Sequence, residues 1–286
     1  MHLERPAEAI TGDREPDSAA AGSAGGVGND GIAELEVYLL GWDAVSFNGG
    51  AKTAFARVYM AVHSLWSARR SARMCGERET ALVEEGTPRL DPGHRADAIN
   101  AVVSSVMFLE GFVNELFSDV ADKPRGTPRT RGLSETAREQ MRELWKGGAV
   151  PSDRISIIHK YQLALLCAGK RTFDPGRAPL QDVVALIQLR NYLIHYNSES
   201  PNTVELQKAF VGVIQRAGEN RQPVGPPLFP NKVLGAGCAN WACDSAASFV
   251  DEWQERLGLD HDYRSELDVY PVEFPFGTTS TSKAKA

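Results

Sequence analysis

The chain has 286 residues, of which 42% are hydrophobic and 24% charged, with a formal net charge of −6. This is the composition of a globular protein of one or two domains and excludes a collagen, a coiled-coil rod or wholesale disorder. The longest uninterrupted apolar stretches, such as Val106 to Leu109 and Val183 to Ile187, fall far short of a bilayer span, so no membrane partner is expected. The N-terminus shows no apolar segment behind a basic one, which sets a cytoplasmic location as the expectation. Cys75, Cys167, Cys238 and Cys243 form neither a disulfide framework nor a CxxC pair, and their spacing favours buried reduced thiols over a metal site.

Residues 1–30, rich in Ala, Gly, Ser and acids, are expected to form a disordered tail, and the end of the chain from Gly277 reads the same way. Between them apolar residues recur at helical spacing. Helices are expected over 33–45, 51–74, 95–121, 133–147, 153–168, 179–197, 203–217 and 237–258, which makes the fold class all-α. Asp91-Pro92-Gly93 precedes the third, Asp153 offers a cap to the fifth, and Asp174-Pro175-Gly176 breaks the chain before the sixth. Helix 95–121 carries Val102, Val106, Leu109, Phe112, Val113 and Leu116 and belongs at the centre of a bundle. The expected organisation is the tail, an N-terminal helical segment over 31–94, a helical bundle over 95–258 and a C-terminal extension over 259–286.

The net charge hides a basic island: Lys123 to Arg190 carries 13 Lys or Arg against 6 Asp or Glu. Its densest part holds Lys123, Arg125, Arg129 and Arg131 with two prolines, a loop that can meet the phosphates of an RNA backbone or serve as a solvated surface. Ser46 to Thr53 fails the Walker pattern, because Ser46 and Ala51 stand where glycines are required. Arg followed by His after four to six residues occurs at Arg57/His63, Arg89/His94, Arg154/His159, Arg190/His195 and Arg256/His261, so that spacing alone carries little. Only Arg190 is followed directly by Asn.

On a helix Asn191 and His195 share a face, whereas Arg190 lies about 140° round from His195 and about 7.5 Å along the axis. A single helix does not close a compact site from them, but two copies meeting across a two-fold axis do. Histidine suits general acid/base work near neutrality, and arginine binds phosphate through paired donors, which together fit RNA backbone cleavage. The structural alternative pairs Arg190 with an acid such as Asp182 or Glu199 and buries His195 near the helix end.

The run Leu186 to Tyr196, containing Arg190-Asn191 and His195, together with the long helix through Glu110 and Asn114, resembles the HEPN superfamily of small helical bundles over about residues 95–257. The resemblance implies a metal-independent endoribonuclease acting as a homodimer, without cofactor, in a toxin-antitoxin or defence setting where a cognate antitoxin is a further partner. Carried over, His195 is the general acid/base, Arg190 the phosphate and transition-state cation, and Asn191 an orienting group. Glu110, Asn114 and Tyr196 are secondary candidates; the first two can orient His195 or Arg190, and their structural alternative is a helix face emerging from the core or an ion pair with an arginine elsewhere. Arg154/His159 is a further candidate pair, and Arg69, Arg70 and Arg73 form a basic helix end. A non-catalytic dimerisation, nucleotide-binding or protein-interaction module of the same superfamily is the alternative function.

Overall fold

The computed structural model describes residues 58–86, 89–122, 126–147, 154–196 and 204–268. The described chain is all-α, with helices α1 (Ala61–Glu85), α2 (Pro92–Asp122), α3 (Glu135–Gly147), α4 (Ile157–Cys167), α5 (Leu180–Ile194), α6 (Val204–Ala217), α7 (Ala236–Leu257) and α8 (Tyr263–Asp268). The expected tail, the helix expected at 33–45, and Lys123 and Arg125 lie outside the described residues.

Helix α2 is the centre of the bundle and touches α1, α3, α4, α5 and α7. Its apolar residues Val102, Val106, Phe108, Leu109, Phe112, Val113 and Leu116 are buried among those neighbours. By length and hydropathy α2 is apolar enough to cross a membrane, but half of its most apolar window is buried against the other helices. Continuous apolarity here follows from being surrounded by protein on several sides.

The helix expected over 51–74 lies further along the chain. Residues 58–60 are not helical, and α1 continues to Glu85, where Gly86 turns left-handed at φ 69° and donates its N–H to the Leu82 carbonyl. Its buried stripe, Leu65, Ala68, Ala72, Cys75, Glu79 and Leu82, keeps helical spacing but places an acid in the core, and that charge masks the pattern in the sequence. The expected boundary between 94 and 95 falls inside α2, and α1 shares one hydrophobic core with the helices beyond it. Helix α4 starts at Ile157, later than the expected 153, because the Ser156 side chain accepts the His159 N–H as its cap. The extension after 258 contains α8, whose Tyr263 and Leu267 are buried.

An aromatic cluster joins α2, α4, α7 and α8. Tyr161 packs edge-on against Phe249 and Trp253, and Phe112 against Trp253 and Tyr263, with ring centroids between 4.8 and 6.2 Å apart. The buried polar ends are satisfied: Tyr161 Oη donates to the Leu109 carbonyl at 2.8 Å and Trp253 Nε1 to the Tyr161 carbonyl at 3.1 Å. Where α6 hands over to α7, a Cβ on Gly237 would stand 2.0 Å from the Ala217 carbonyl oxygen, so only glycine permits that approach.

Candidate functional site

Helix α5 is held by Leu180, Val183, Leu186 and Leu189, all buried. The opposite face, running through Gln181, Val184, Gln188, Asn191 and His195, forms a ridge of exposed and half-buried residues at helical spacing. Arg190 and Asn191 lie in the last turn, and His195 is the C-terminal cap, donating its N–H to the Asn191 carbonyl at 2.9 Å. His195 is exposed, which contradicts the structural alternative that buries it. Asp182, the acid weighed as a partner for Arg190, is taken by Arg216 Nε at 2.8 Å; Glu199 lies outside the described residues.

A cleft of about 400 Å³ opens on one flank of the ridge between α2, the start of α4 and α5. Arg190, Asn191, Arg154 and Glu110 line it together with Ser156 and several isoleucines. Neither the Arg154 nor the Arg190 guanidinium has an ion-pair or hydrogen-bond partner among the described residues. Two unneutralised guanidiniums at the entry of α4, whose first N–H groups also carry partial positive charge, make this cleft suited to an anion such as a phosphodiester. The sequence offered Arg154 only through its spacing to His159. The fold separates those two, because exposed His159 places Nδ1 2.8 Å from Ser156 Oγ at the helix cap, while Arg154 lines the cleft beside Arg190.

His195 lines neither this cleft nor the larger groove on the other flank of α5. Within one protomer Arg190 and Asn191 therefore share a cavity that His195 does not enter.

Glu110 and Asn114 do not orient His195 or Arg190. Both face Lys160, whose Nζ donates to Asn114 Oδ1 at 2.8 Å and lies 4.0 Å from Glu110 Oε1. Lys160 is buried and also sits over the Trp145 ring, so Asn114 serves the core and Glu110 bridges it to the cleft. Tyr196 is exposed and packs edge-on against Tyr192, with the ring centroids 5.7 Å apart.

Of the basic loop, Arg131 is exposed and remains available to a backbone phosphate. Arg129 is a correction: it is buried, with Nη1 3.3 Å from Glu115, Nη2 3.3 Å from Glu266 and its guanidinium 4.1 Å from the centre of the Tyr59 ring. An arginine already neutralised by two acids and enclosed by an aromatic ring cannot also bind RNA. Arg73, in the other basic cluster, lies 3.8 Å from Glu77 on the next turn, while Arg69 and Arg70 are exposed.

The fold also assembles Cys75, Glu79 and His94, whose donor atoms lie within 4.8 Å of one another and are all buried. The acid is already saturated. Its Oε2 takes His94 Nε2 at 3.0 Å and the Ala236 N–H at 2.7 Å, and its Oε1 takes Arg221 Nε at 3.0 Å. Burial alone would raise the Glu79 carboxyl, but these donors outweigh it and hold the group down to about 2. An ionised carboxylate only accepts, so the His94 Nε2–H is the donor in this contact. Burial also pushes the Cys75 thiol far above its ordinary range, with Glu79 adding to the effect. The chemistry of this donor set is that of a hydrogen-bond hub, which ties α1 to the starts of α2 and α7.

Comparison of the chain with protein-family models, with curated proteins and with solved structures returned no significant match.

Proposed function

We propose that the protein is a metal-independent endoribonuclease of the HEPN type, acting as a homodimer on RNA in the cytoplasm, in a toxin-antitoxin or defence setting. The observation that carries the reading is the cleft in which Arg190 and Asn191 meet Arg154, with neither guanidinium neutralised among the described residues.

The chemistry divides among these side chains. The guanidiniums of Arg190 and Arg154 hold the scissile phosphodiester and offset the charge that grows on the phosphorane oxygens. A His195 imidazole removes the proton of the ribose 2′-hydroxyl, whose oxygen forms the new bond to phosphorus. The bond from phosphorus to the 5′-oxygen breaks, a protonated His195 delivers a proton to that oxygen, and a 2′,3′-cyclic phosphate remains. Asn191, one turn before His195 on the same ridge, orients the imidazole or the phosphate. Two copies that appose their α5 ridges bring both histidines and both clefts to one groove and supply base and acid as separate groups.

The test is incubation of total RNA in EDTA with the wild type and with His195→Ala, both folded and in the same oligomeric state. Cleavage by the wild type alone is expected. Equal cleavage by both assigns the cuts to another site. Absence of cleavage at high protein concentration favours the second reading, a non-catalytic dimerisation or nucleotide-binding module. That reading draws on the position of His195 outside both cavities of the protomer.

A further inference from the structure

A groove of about 660 Å³ lies on the opposite flank of α5, between it and α6, and the phosphate chemistry above does not use it. Its apolar walls include Leu189, Tyr192 and Phe210, and its rim carries Gln188, Asn191 and Lys208. From these features we infer that the groove is a nucleobase subsite, taking a base of the same RNA strand whose phosphate sits in the Arg154/Arg190 cleft. The inference rests on the ribonuclease reading and adds to it the means by which the substrate's bases are felt.

The size, position and lining of the groove support a nucleobase over other occupants. The volume lies in the range of small-molecule sites and exceeds that of one heterocycle. The two cavities lie on either flank of one helix, α5, whose Gln188 and Asn191 line both. They are therefore about 10 Å apart, one helix width, which a base, its sugar and the adjoining phosphate span. The groove also pairs the faces and edges of a base with suitable partners: apolar walls for the ring, and amides offering both donor and acceptor for its edge. The Tyr192 ring, packed edge-on against Phe210 with centroids 5.0 Å apart, contributes an aromatic face to that wall. Lys208 at the rim adds a cation for a neighbouring phosphate.

The test fills the groove without touching the core. Ala209 lines it from α6 and is exposed, so Ala209→Trp places an indole in the cavity at little risk to folding. Binding is measured by fluorescence anisotropy with a 2′-O-methyl oligonucleotide of about twelve mixed-sequence residues, which resists cleavage, and with an abasic strand of equal length. Ala209→Trp is expected to weaken the base-bearing strand about tenfold, the scale of one lost base contact. It should leave the abasic strand unchanged, whereas Arg190→Ala should weaken both.

Equal affinity of wild type and Ala209→Trp for the base-bearing strand overturns the inference, as does an equal loss on both strands. A change of oligomeric state on sedimentation also overturns it and assigns the groove to a protein contact. If the wild type cuts RNA in EDTA but Ala209→Trp binds normally, only the base subsite falls. If the wild type binds neither strand and cuts nothing, the ribonuclease reading falls with it.

Discussion

Glu79 Oε2 and the backbone N–H of Ala236, 157 residues apart in the chain, meet at 2.7 Å in the core. The same carboxylate receives His94 and Arg221, so one charge fixes three separate segments against α1. A Cβ on Gly235 would stand 2.8 Å from the same oxygen, which leaves room there for glycine alone. The hub thus joins α1 to the start of α7 and to the segment that follows α6.

Removing the acid strands its donors. Glu79→Ala leaves the His94 ring and the Ala236 N–H without their acceptor, and a loss of about 3 kcal/mol is expected in urea unfolding. Glu79→Gln, which keeps the shape but not the charge, should lose less. In the wild type the carboxylate's contribution is complete above its ordinary 4.5 and declines as the pH falls toward 2, because the native group lies below the unfolded one.

Arg129 and Arg131, two residues apart, should separate cleanly in experiment. Arg129→Met removes a cation enclosed by Glu115, Glu266 and Tyr59 and is expected to cost about 3 kcal/mol in thermal or chemical unfolding. Arg131→Ala is expected to leave stability unchanged and to lower the salt dependence of RNA binding by about one phosphate contact. The reverse pattern would return Arg129 to the RNA face.

His261 should govern part of the acid response. Burial, with the Arg129 charge adding to it, pushes this imidazole down from 6.5 to about 4, and its ring stacks on Phe112 with centroids 6.3 Å apart. Its Nε2 is 3.2 Å from Glu266 Oε1 but lacks hydrogen-bond alignment. The unfolded chain takes the proton first, so native stability is lost as the pH falls from about 6.5 to about 4. His261→Phe is expected to reduce that loss by about 2 kcal/mol, read as the difference between unfolding free energies at the two ends of the window. An unchanged pH slope would show that the ring protonates freely in the folded state.

Arg154→Ala and Arg190→Ala should each reduce RNA cleavage by at least tenfold while leaving the midpoint of thermal unfolding unchanged, since neither side chain is tied into the fold among the described residues. A large effect of Arg190→Ala alone would remove Arg154 from the site.

The sequence carried the fold class and most helices because apolar spacing is a local property. The buried residues of α2 and α7 repeat every third or fourth position and can be read without knowing their neighbours. Helix α1 extends past its expected end through Glu79, a buried acid whose donors besides His94 are Arg221 and Ala236, both more than 140 residues away. Arg129 misled for the same reason: the run of four cations was visible, but Glu266, 137 residues further on, was not. At the site, Arg190, Asn191 and His195 stood out by order along the chain. That Arg154 shares the cleft depends on how α4 and α5 approach, which no spacing within either helix encodes.

The groove beside α5 is walled by two helices anchored to different neighbours. Helix α5 is clamped by four buried side chains, whereas α6 packs on α7 and the turn at Leu228–Lys232. Elements with few buried contacts open at the lowest cost, so amide exchange should be fastest on the α6 side. Gln181, Gln188 and Asn191 all project from α5. On the ribonuclease reading, a base entering this groove meets its hydrogen-bonding groups along α5 and its ring contacts from both helices.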